Sequence, residues 1–145
     1  MKKIISIIIA ILILVATGAG VFWQMNKKNE PAGKEDLIRV DSPKPNQTVQ
    51  NPLIITGEAR GHWFFEASFP VVLVDWDGLI IGQGIAQAKS DWMTADFVPF
   101  EATLTFTADK NAYSNRGTLI LRKDNPSGLP EHDDAFEIPV LIKIK

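Results

Sequence analysis

The chain has 145 residues, no cysteine and a formal net charge of −2. That length fits one domain, and the missing cysteines exclude disulfides, thiolate metal sites, a cysteine nucleophile and a lipid anchor on an N-terminal cysteine. From Glu35 onward there are 10 basic and 16 acidic residues, a net of −6, so no nucleic acid partner is expected, because the domain repels phosphate backbones.

Lys2 and Lys3 precede IISIIIAILILVATGAGVFW, twenty residues from Ile4 to Trp23 without a charge. As a helix such a run spans roughly the 30 Å hydrocarbon core of a bilayer. Ser6 and Thr17 can bond back to the helix, so neither opposes insertion. Trp23 falls where an interfacial aromatic belongs, and Lys27 and Lys28 end the run. Residues 1–25 therefore read as a signal-anchor or transmembrane segment, with the N-terminus inside and the remaining chain outside the cytoplasmic membrane. A cleaved signal peptide followed by secretion is the alternative, since ATGAG offers small residues for cleavage; the return of apolar residues at Val21 and Phe22 favours retention. Residues 26–36, NKKNEPAGKED, are too polar to bury a core and read as a short tether.

Residues 37–145 read as strands. LIRV (37–40) is a short strand and SPKPN (42–46) a turn or extended crossing. TVQNPLIITGEA must break at Pro52, which lacks a ladder donor, and Leu53–Thr56 then pair. In GHWFFEASFP, Trp63, Phe65 and Ala67 share one face of an extended chain and Phe64, Glu66 and Ser68 the other. Beyond Pro70, Val72, Val74 and Trp76 alternate with Val71, Leu73 and Asp75, and the aspartate marks its face as the wetter one. WDG (76–78) supplies a tight turn with Gly78 at positive φ. LIIGQGIAQA (79–88) returns, weakened or bulged at Gly82 and Gly84. DWMTADFVPF (91–100) is ambiguous, with Asp91 placed to satisfy nearby amides while Trp92 packs inward. EATLTFTAD (101–109) turns Ala102, Leu104 and Phe106 inward. GTLILRKDN (117–125) is another strand, residues 126–134 a loop. FEIPVLIKIK ends the chain with Phe136, Ile138, Val140, Ile142 and Ile144 on one face. About seven strands imply an all-β, antiparallel β-sandwich.

Few residues suggest chemistry. The aromatics Trp63, Phe64, Phe65 and Trp76 suit a core; Phe64, out of phase with its neighbours, is the member best placed to lie exposed in an interface. Arg60, His62, Phe64 and Glu66 form the candidate binding set, with Arg60 and Glu66 able to pair. Glu66 has no second carboxylate at a spacing that would make a glycosidase pair. Glu131, His132, Asp133 and Asp134 carry donors for a cation, with Asp124, Asn125 and Ser127 able to join them, but neither the order of an EF-hand loop nor HExxH is present; the segment reads as an exposed acidic turn, no metal is expected, and a cation site is the weak alternative. Ser114 and Ser127 lack a nucleophile elbow. No catalytic residue and no cofactor is expected.

The segments IRVDSPKPNQTVQNPLIITGEARGHWFFEASFPVVLVDWDG, DWMTADFVPFEATLTF and GTLILRKDNPSGLPEHDDAFEIPV resemble the immunoglobulin-like domain associated with bacterial spore germination proteins. The resemblance implies an immunoglobulin-like sandwich and no catalytic activity. Together with the anchor it implies a non-enzymatic, extracytoplasmic interaction or assembly module whose partner is an envelope protein, a peptide or a cell-wall polymer. An envelope hydrolase using carboxylates or a metal, and a purely structural accessory domain, are the alternatives.

Overall fold

The computed structural model describes residues 33–144. The expected membrane segment, residues 1–25, and residues 26–32 of the tether lie outside the described residues. Among those described, no helix is long and apolar enough to cross a membrane. Residues 34–36 belong to the folded part: the Lys34 carbonyl accepts from the N–H groups of Leu37 and Ile38, at 2.8 and 2.9 Å, and the Lys34 ammonium pairs with Asp134.

Eight strands follow: β1 (Ile38–Ser42), β2 (Thr48–Val49), β3 (Leu53–Arg60), β4 (Ser68–Asp75), β5 (Ile80–Ala88), β6 (Phe97–Leu104), β7 (Arg116–Arg122) and β8 (Ala135–Ile142). They hydrogen-bond in the order β1-β3-β6-β5-β4-β7-β8-β2. Every neighbouring pair is antiparallel except the last, where Thr48 and Val49 run parallel to Leu141 and Ile142. This corrects the wholly antiparallel expectation. After β1 the chain crosses through SPKPN from one end of the strand order to the other, and a strand delivered from that side meets β8 in parallel.

The order makes two layers, β1-β3-β6 and β5-β4-β7-β8-β2, joined between β5 and β6 by only two ladder pairs, Gln87 with Glu101 and Ala88 with Phe100. Strand alternation turns one face of each layer inward, and both inward faces enter a single buried cluster. The Phe69 ring of β4 meets Phe100 of β6 edge-on at 5.0 Å between centres. Ala102, Leu104 and Phe106 point inward, as do Phe136, Ile138, Val140 and Ile142. Gly82 lets β6 come close: a Cβ there would stand 2.7 Å from both Leu104 Cδ2 and Phe106 Cβ.

The polarity of β4 is the reverse of its sequence expectation. Phe69, Val71 and Leu73 join the core cluster, whereas Val72 does not, so Val72, Val74 and Trp76 follow the outward face. Asp75 ends the strand, and its Oδ1 accepts the N–H groups of Asp77 and Leu79, both at 2.9 Å. It caps the hairpin and so says nothing about which face is wet. Gly78 takes φ +81° in that turn.

Antiparallel pairing gives the sandwich two poles. β1, β4, β6 and β8 begin at the near pole, where the tether joins; the β4–β5 hairpin lies at the far pole.

Candidate functional site

Arg60, His62, Phe64 and Glu66 all fall at the near pole, but they do not form one surface. Residues Gly61–Trp63 make a 3-10 turn that resets the strand alternation, so Trp63 and Phe64 both point inward. Phe64 is 4% exposed and packs edge-on against Phe69 at 5.1 Å. This corrects its expected place in an exposed interface; Phe65 is exposed instead. Arg60 does not pair with Glu66. Its Nε donates to the Asp36 carbonyl at 2.9 Å and its Nη1 to the Ala95 carbonyl at 3.2 Å, while its guanidinium lies 4.0 Å from the centre of the Phe97 ring. It fastens the end of the tether. Glu66 and Ala67 form the two-residue turn before β4 at φ 49° and 60°, a left-handed conformation that suits asparagine and glycine better. Glu66 and His62 remain exposed.

The acidic loop reaches the same pole, where the Asp124 N–H donates to the Trp63 carbonyl at 3.1 Å. Its side chains are engaged separately. Asp134 pairs with Lys34, Asp133 accepts from Asn125 Nδ2 at 2.7 Å, and His132 Nδ1 lies 3.0 Å from Ser127 Oγ. Among the described residues no three His, Asp or Glu side chains come together as metal ligands. As expected, Asp91 caps the Met93 N–H at 3.0 Å, and Trp92 packs against the core.

Sequence reasoning missed a surface on the other side of the molecule. Across the outward face of β5-β4-β7-β8 the register aligns Ile85 with Pro70, then Gln83, Val72, Ile120 and Glu137, then Ile80, Val74, Thr118 and Pro139. Val72 is only 5% exposed although it lies outside the core cluster. Ile80 and Ile85 stand free, the latter 59% exposed, and beyond the strand Trp76 is 46% exposed, 5.6 Å from the Tyr113 ring. The signal was in Pro70, Val72 and Val74, but it needed the strand order to be seen.

A family model described as the immunoglobulin-like domain of bacterial spore germination, Gmad2, matches residues 37–128. The chain belongs to this family. Neither the curated proteins nor the solved structures offer a match. The matched interval of this germination-type immunoglobulin-like domain stops before β8, yet β8 supplies Phe136, Ile138, Val140 and Ile142 to the core, so the folded unit is longer than the match.

Among the described residues no polar or charged residue is buried. The apolar pocket beside Ile81 and Ala112 holds about 10 Å³, room for one water. The wider depressions beside Asn51 and Lys110 and beside Lys34 and Asp134 are open to solvent.

Proposed function

We propose that the chain is a non-enzymatic, membrane-anchored interaction module on the outer side of the cytoplasmic membrane, held by residues 1–25 and docking a partner protein on the outward face of β5-β4-β7-β8. The observation that carries this reading is that face, where Ile80, Ile85 and Trp76 are exposed around a nearly uncharged stripe. Contiguous exposed apolar surface marks interaction sites. Its chemistry is mostly aliphatic, which suits a protein surface better than a glycan. Strand addition is the less favoured docking mode. β1 is a five-residue edge carrying Arg39 and Asp41, β2 at the other edge has two residues, and on β8 next to it Pro139 lacks a donor.

The uncharged run Ile4–Trp23 supports anchoring, and the basic flank at Lys2 and Lys3 supports an inside N-terminus. Protease added to intact spheroplasts should digest the domain, and the intact mass of the undigested protein should include Met1. Protection until the membrane is permeabilised would overturn the reading, and loss of roughly the first 20 residues would replace the anchor with secretion.

A further inference from the structure

We propose that the partner seated on the outward face of β5-β4-β7-β8 is a second copy of this chain, packed face to face about a two-fold axis running along the strands between β4 and β7. This rests on the reading of that face as an interaction surface.

The distribution of charge points to that arrangement. The outward residues of β4 and β5 are uncharged from Ser68 to Val74 and from Ile80 to Gln87. The charges, Arg116, Arg122 and Glu137, sit on β7 and β8, and none of them takes part in an ion pair among the described residues. An axis along the strands lays the charged half of each copy over the uncharged half of the other, so no like charges meet. The row Gln83, Val72, Ile120, Glu137 then folds onto itself: Val72 meets the partner's Ile120, and the Gln83 amide reaches the partner's Glu137 carboxylate. An axis across the strands at that level would stack Glu137 on its own copy, a repulsive contact.

The position of the tether selects the same axis. The chain enters β1 at the near pole, and an axis along the strands leaves both near poles on one side, so both anchors can enter one membrane. Four strands at about 4.8 Å and eight residues at about 3.3 Å give a face of roughly 500 Å² per copy. Two such faces reach about 1,000 Å², the lower bound for a specific interface, and confinement of both copies to one membrane raises their effective concentration.

The absence of native cysteine makes the test direct. The full chain carrying Gln83→Cys and Glu137→Cys is oxidised in its own membranes. Within one copy the two positions are three strand spacings apart, roughly 14 Å, beyond the reach of a disulfide. The expected result is a shift from one chain mass to two. The shift should be lost when Val74→Asp is added, with the melting curve retained, and should not occur with Ile54→Cys on the outward face of the other layer. No shift, or an equal shift with Ile54→Cys, overturns the proposal. A benzophenone placed on Gln83→Cys separates the two levels of inference. An adduct of two chain masses supports the second copy. An adduct of another mass overturns it while keeping the face as an interaction surface, and no adduct removes both.

Discussion

The outward faces of β1-β3-β6 and β5-β4-β7-β8 arise from the same strand alternation and carry opposite chemistry. On the first, Arg39 pairs with Glu58 at 2.9 Å, and the guanidinium groups of Arg39 and Arg60 lie 3.9 and 4.0 Å from the centre of the Phe97 ring. Glu101 pairs with Lys89 at 3.7 Å. On the second, Pro70, Val72, Val74 and Ile85 lie side by side and the charges are confined to β7 and β8. The sandwich needs only its inner faces to fold, so the outer ones are free to diverge. One is covered by its own polar groups; the other carries few of them.

The largest expected effect comes from the support both faces share. Phe100→Ala, or Phe64→Ala, should cost about 3–5 kcal/mol in urea unfolding; a loss well under that would mean the layers do not rest on the aromatic stack. Gly82→Ala is next. Its new methyl would meet Leu104, Phe106 and the Thr105 carbonyl at 2.7–2.8 Å, and about 1–3 kcal/mol of overpacking should appear as a lower melting temperature. Arg60→Ala strips the covered face of two hydrogen bonds and a cation–ring contact, and should lose about 1–2 kcal/mol while exposing the Asp36–Leu37 backbone to hydrogen exchange. The smallest effect is on the bare face: Ile85→Ser should change stability by no more than about 0.5 kcal/mol, yet reduce the cysteine-linked dimer. Destabilisation comparable to that of Arg60→Ala would erase the contrast between the faces.

Alternation was legible wherever a strand ran uninterrupted, as in Ala102–Phe106 and Phe136–Ile142, and so were the break at Pro52 and the turn at Gly78. It failed where the phase is reset. The 3-10 turn at Gly61–Trp63 turns both Trp63 and Phe64 inward, and a count of two carried through it misplaces Phe64. Asp75 misled for another reason: a carboxylate that caps a hairpin resembles one that faces water. The extra residue Ile81, inserted where Leu73 pairs with Gly82 but Val74 pairs with Ile80, shifts the returning strand by one. The apolar outward face was illegible because it is assembled from strands far apart in the chain. Val72 and Ile120 become neighbours only through the β4–β7 pairing.

The near pole has a mechanical consequence. The chain ahead of β1 is fastened by the Lys34 ammonium to Asp134 and to the Ala135 carbonyl at 2.7 Å, and by the arginines to the carbonyls of Glu35 and Asp36, each at 2.9 Å. A pull on the tether therefore meets β3, β8 and β1 together. Because β1 lies antiparallel along β3 from that pole, a load applied at the opposite end would slide the two strands past each other and strain their hydrogen bonds in parallel. Under such a load the β1–β3 ladder parts in shear rather than one bond at a time.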